Sequence, residues 1–241
     1  MAPQRERPAS APPPAAAQEQ RIALRPLARF IGWLLNEYVR FVAFTIRVSG
    51  PPVVQEPAIL AVWHEANLLQ AVGIWRLRSD RRFVAFSTRG FRGIVMSGMI
   101  EGLEAGVVAL PPEHARAEAG RLARAMGGYG RAGWSLALAC DGPLGPYRVA
   151  KPGALLLARE SGLPIVPWAG AVSPSFRLNR RWDRQVVPLP FARFRMFQGT
   201  PLRIGPEEPL KPRLAELQAE LDRVAARADG YHWANPSGEP A

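Results

Sequence analysis

Cysteine is almost absent: Cys140 stands alone among 241 residues. A disulfide framework and a cysteine zinc cluster are therefore excluded, and a cytosolic-side, reducing setting is expected. Histidine is nearly as scarce. His64, His114 and His232 are too few and too scattered for a metal site, so neither a metal nor a resident cofactor is expected. Lysine is scarcer still, since only Lys151 and Lys211 among the 31 basic residues are lysine. Acidic residues number 20, which leaves a net charge of +11. No uncharged apolar run reaches the roughly 20 residues that a spanning helix needs. Residues 1–20 are rich in Ala, Pro and Gln without an apolar centre. They lack the character of a signal peptide and read as a disordered tail. A phosphate-binding loop is excluded, because Gly-x-x-x-x-Gly-Lys-Ser/Thr does not occur.

The basic excess suits an anionic partner. No nucleic-acid motif accompanies it, and the N-terminal segment points to lipid instead. In residues 21–49, Arg25, Arg29, Asn36, Arg40 and Arg47 are spaced by four, seven, four and seven. At about 3.6 residues per turn they share one stripe of a helix. The remaining surface is apolar and includes Leu27, Phe30, Trp33, Leu34, Phe41 and Phe44. Two dispositions stay open: a helix lying in a membrane interface, or a helix packed on the domain. The first implies a peripheral protein on an anionic membrane surface.

Beyond Gly50-Pro51-Pro52, short apolar runs alternate with helical patterns. Strands are expected at 58–63, 83–87, 107–110, 135–140 and 165–169, with an edge strand at 193–199. Helices are expected at 66–77, 90–103, 113–126, 154–160 and 209–229. Alternation of this kind predicts one α/β domain over 50–230 with a mostly parallel central sheet flanked by helices. Residues 173–184, with Phe176, Trp182 and four arginines, read as a surface loop. Residues 231–241 read as a tail.

Asp141-Gly142-Pro143-Leu144-Gly145-Pro146 follows the apolar run 135–140. Two Pro and two Gly impose an unusual backbone path, with a carboxylate at its mouth. His64 follows the run 58–63 in the same manner. Both would lie at carboxyl ends of strands, where open α/β sheets bind ligands. A neutral histidine at a helix entry is well placed as a general base. Cys140, ending its strand, is expected to be a buried small apolar residue rather than a nucleophile.

Trp63-His64, Asp141-Gly-Pro-Leu-Gly-Pro, Lys151-Pro-Gly, Pro164-Ile-Val-Pro167, Trp182-Asp183 and Val187-Pro-Leu-Pro-Phe191 occur in that order. Together they resemble the lysophospholipid (glycerolipid) acyltransferase superfamily over roughly residues 50–205. They are most similar to a poorly characterised bacterial branch with Trp-His and Asp-Gly-Pro-x-Gly-Pro blocks. The resemblance implies transfer of a fatty acyl group from acyl-CoA or acyl-carrier protein to a hydroxyl of a lipid-like acceptor. It implies a role in phospholipid biosynthesis at the cytoplasmic face of the inner membrane. His64 matches the family's catalytic histidine, and Gly142, Pro143 and Gly145 belong to the block shaping the acceptor site.

Three departures stand out. The family's Asp five residues after the histidine is Leu69 here. Leu144 stands where the related branch has Arg, and 109–112 is Ala-Leu-Pro-Pro where an Arg is usual. Asp141 is the candidate replacement for the missing Asp. Glu65 is adjacent to the histidine, but its side chain is expected to point away. Arg148, Lys151, Arg89 and Arg92 are the candidate anion ligands. The alternative is a catalytically lapsed lipid-binding protein on the same fold.

Overall fold

The computed structural model describes residues 25–50, 57–77, 82–87, 91–101, 106–109 and 116–233. In chain order the elements are α1 (Arg25–Thr45), β1 (Arg47–Ser49), β2 (Ile59–Val62), α2 (Asn67–Leu77), β3 (Phe83–Ser87), α3 (Phe91–Glu101), β4 (Gly106–Ala109), α4 (Arg116–Arg131), β5 (Ser135–Ala139), α5 (Gly153–Ser161), β6 (Ile165–Arg177), β7 (Val186–Gln198) and α6 (Leu210–Asp229). A 3₁₀ turn, His64–Ala66, joins β2 to α2.

Seven strands form one sheet in the order β1-β7-β6-β2-β5-β3-β4. Every pair is parallel except β6 with β7. The fold is the expected single α/β domain, and its central strands explain why. Parallel strands covered on both faces must be apolar throughout, and β2 is buried at all four positions. Its residues divide by parity. Leu60 and Val62 enter a core layer with Val42, Ile46, Leu69, Phe83, Met99 and Phe194. Ile59, Ala61 and Trp63 enter a second layer with Leu136, Leu155, Leu217 and Leu221. Helices α1, α2 and α3 cover the first face, and α4, α5 and α6 the second.

Two expectations need correction. The stretch 173–184 is a loop only from 178 onward, since 173–177 belong to β6. β6 runs through Arg177 and pairs with β7 from Val186 onward, across a register shift between Ser173 and Ser175. Pro167, Pro174, Pro188 and Pro190 fall inside these strands and erase the sequence signal, because proline cannot donate to a ladder. The second correction concerns the N-terminal segment. It is a helix followed by an edge strand, β1, and one helix face is core: Ala28, Gly32, Asn36, Val39, Val42 and Ala43 are buried. Asn36 therefore does not lie on an exposed polar stripe. It donates to the Met99 carbonyl at 2.8 Å and ties α1 to α3. Residues 1–20, and 234–241 of the expected tail, lie outside the described residues.

The opposite face of α1 is exposed. Leu27, Phe30, Trp33, Leu34, Phe41 and Phe44 are each about half or more accessible. At about 100° per residue these six centre opposite the buried face, with Arg29 and Arg40 along one border. Among the described residues no helix is long and apolar enough to cross a membrane.

Candidate active site

β2 and β5 are neighbours, and Val62 pairs with Ala139. Two residues beyond that pair lie His64 and Asp141, so the register alone sets them side by side. The ladder continues one step further, since the Cys140 amide donates to the Val62 carbonyl at 2.8 Å. Asp141 Oδ1 then takes the His64 backbone N–H at 3.0 Å and lies 2.7 Å from His64 Nδ1. A carboxylate only accepts, so Nδ1 carries a proton, and in the neutral ring Nε2 keeps its lone pair. Asp141 is fully buried, while the His64 side chain is 18% exposed. A buried acceptor and a part-open ring suit an orienting role for the first and a reacting role for the second.

The Asp141 turn is built by its glycines. Gly142 and Gly145 have φ of +68° and +74°, which side chains rarely adopt. A Cβ on Gly145 would also lie 2.7 Å from the Trp182 ring. That ring stands 5.1 Å from the His64 ring, centroid to centroid. The Trp182-Asp183 pair thus closes the site from the β6–β7 hairpin. Asp183 is buried, which pushes its carboxyl up. Two hydrogen bonds from Arg181, at 2.9 and 2.7 Å, more than reverse this and hold it below the usual carboxylate range, with His64 adding in the same direction.

His64 opens onto a cavity of about 220 Å³. Ala85 and Ala137 are register partners, and with Ala139 and Ala71 they leave the space. Met96, Met99 and Ile100 of α3 and Ile74 of α2 form its far wall, while Gly142, Pro143 and Lys151 line it beside His64. The Lys151 stem lies over Gly142, whose Cβ would meet Lys151 Cδ at 2.9 Å. The Lys151 amide is anchored to the Cys140 carbonyl at 2.8 Å. An apolar slot with one ammonium and one imidazole at its end can hold a hydrocarbon chain and a polar or anionic head.

No family model matches the chain. Uncharacterized protein RP090 of Rickettsia prowazekii (strain Madrid E) is 31% identical over 64 residues, 27% of this chain and 29% of that protein. The chain thus spans under a third of the length of this relative. No solved structure matches.

The remaining expected residues fare differently. Arg148 does not face the cavity as an unpaired cation. Its φ is +52°, and its guanidinium turns to Glu65 and to Asp229, the latter at 2.8 Å. Glu65 stands at the centre of this network. It is buried, takes the Tyr147 hydroxyl at 2.7 Å and Arg177 at 2.7 Å, and its backbone carbonyl accepts from Gln185. Burial and Glu65 together push the Tyr147 hydroxyl up to about 12. Glu65 thereby pins the Asp141 turn to the β6–β7 hairpin. The Arg148 amide, held by the same network, donates to Asp141 Oδ2 at 3.3 Å. Leu69 is buried in the core. Cys140 is buried, and burial followed by the Asp141 charge pushes its thiol well up, away from nucleophilic use. Arg89 and the side chain of Arg92 lie outside the described residues, as does His114.

Proposed function

We propose that this protein is an O-acyltransferase that moves a fatty acyl group from acyl-CoA or acyl-carrier protein to a hydroxyl of a lipid-like acceptor. One observation carries the reading: a histidine oriented by a buried carboxylate at 2.7 Å, at the opening of an apolar cavity. His64 Nε2 takes the acceptor's hydroxyl proton as that oxygen attacks the thioester carbonyl. The carbon–sulfur bond then breaks, and the thiolate leaves with the proton returned from His64. Asp141 steadies the imidazolium that forms in between. The cavity takes acyl chain, and Lys151 neutralises an anionic group of the acceptor or donor. On this reading the exposed face of α1 lies against an anionic membrane surface, which places the site near its lipid substrate.

A second reading, a lapsed lipid-binding protein, is favoured by the engagement of Arg148 with Glu65 and Asp229, which removes one expected anion ligand. Purified protein incubated with acyl thioesters and a mixed lysolipid pool separates the two by mass spectrometry. Acyl transfer is expected, and His64→Ala should slow it about 10²-fold or more with lipid binding retained. No transfer from any thioester would give the protein to the second reading.

A further inference from the structure

Phe191 is one of the described non-glycine residues with positive φ, and it is exposed. Its φ is +62°, a region that bulky side chains seldom enter. It gains little from folding in return, since the side chain is 72% exposed. It sits in β7 between Pro188 and Arg193, where the register with β6 slips. A bulge of this kind re-aims a side chain. The bulge is also fastened, because the Phe191 amide donates to Thr45 Oγ1 at 3.1 Å, at the end of α1.

The aim is toward α1. The Phe191 ring meets Phe41 edge-on at 6.2 Å between centroids, on the helix face that carries Phe44, 76% exposed. Three phenylalanines from two distant segments thus join in one exposed apolar end. Arginines border it. Arg40 is exposed on α1, paired with Glu37 at 3.1 Å, and Arg47 of β1 and Arg193 of β7 are exposed register partners on the sheet edge, with Arg193 stacked on Trp233 at 4.9 Å. An exposed aromatic tip on a chain of net charge +11 matches the charge and polarity profile of an anionic lipid surface, with apolar chains below charged headgroups.

We propose that Phe191 is a second bilayer-insertion point, a rigid aromatic wedge on β7 that acts with Phe41 and Phe44 of α1 to set how the domain sits on an anionic membrane. The proposal rests on the reading that α1 meets a bilayer. Two anchors on one rigid body fix orientation, whereas one helix face alone leaves the domain free to roll about the helix axis.

The test exploits the strain. Glycine adopts φ of +62° without penalty, so Phe191→Gly should keep or raise the unfolding midpoint. The same variant should bind vesicles of equal parts phosphatidylglycerol and phosphatidylcholine about tenfold more weakly at low salt. Phe191→Asn, which also tolerates this backbone, should behave likewise. Wild-type protein that ignores these vesicles overturns the α1 reading and the wedge together. Equal binding by wild type and both variants overturns the wedge alone. Loss of fold in both variants makes Phe191 a packing residue and overturns it too. A lipid-free dimer that Phe191→Gly dissociates would assign the face to a second copy of the chain instead.

Discussion

On the proposed reading, His64 and Asp141 divide the chemistry by burial, and Lys151 adds charge without sharing in the proton transfer. These roles predict different kinetic signatures. Asp141→Asn keeps the shape but removes the charge that steadies the imidazolium and puts a donating amide where one oxygen accepted, so kcat should fall by about 10²-fold or more with KM little changed. Lys151→Ala removes attraction present before and during reaction, so KM should rise several-fold with kcat nearly kept. Steady-state kinetics on the two variants checks both. Equal effects on kcat and KM in the two would remove this division of labour. The His64–Asp141 pair was legible in the sequence because each residue follows an apolar run by the same short step, and adjacent parallel strands then align them. Glu65 was not legible. Its burial depends on Arg148 turning through a positive φ and on Arg177, 112 residues away. No local pattern encodes either.

Helix α1 reaches its neighbour α3 through glycine rather than through interdigitated side chains. A Cβ on Gly32 would lie 2.7 Å from the Val95 carbonyl oxygen and 3.1 Å from Gly98 Cα, both backbone atoms that cannot rotate away. Gly73 in α2 is different, since a Cβ there meets nothing within 4 Å. Alanine gains up to about 1 kcal/mol over glycine in a helix interior. At Gly73 that gain should stand, and Gly73→Ala should raise stability by about 0.5–1 kcal/mol. At Gly32 the backbone collision should outweigh it, for a net loss of about 1–2 kcal/mol. Urea unfolding of the two variants measures the contrast, and a stabilised Gly32→Ala would mean that α1 can lift from α3 at little cost. At this scale the sequence showed the βα alternation well, because parallel strands buried on both faces are unbroken apolar runs. It hid the β6–β7 hairpin behind four prolines. It hid β1 as well, whose three residues are all exposed and owe their pairing to β7 alone.

Across the whole molecule, the net charge of +11 and the exposed face of α1 invite treating residues 1–49 as a detachable anchor. The packing argues against that. Val39, Val42, Ala43 and Ile46 lie in the first core layer with β2, α2 and β7, and β1 covers the edge of β7. Burying an aliphatic side chain of this size is worth about 1.5–3 kcal/mol, against a total stability of about 5–15 kcal/mol for a domain. Deleting 1–49 should therefore give unfolded or aggregated protein, not a soluble catalytic core. Such a deletion cannot report on membrane docking, because loss of binding and loss of fold coincide. Substituting only the outward face can. Phe30→Ser, Trp33→Ser and Phe44→Ser together remove side chains that are each more than half exposed, so the unfolding midpoint should move little. Binding to anionic vesicles should fall by well over tenfold, since each aromatic contributes apolar area at the interface. What binding the arginines retain should vanish on raising salt, as screening shortens their reach to about 8 Å at physiological ionic strength. Vesicle binding by the triple variant equal to wild type would show that α1 faces water, and a soluble, folded 50–241 fragment would show that the helix is an appendage after all.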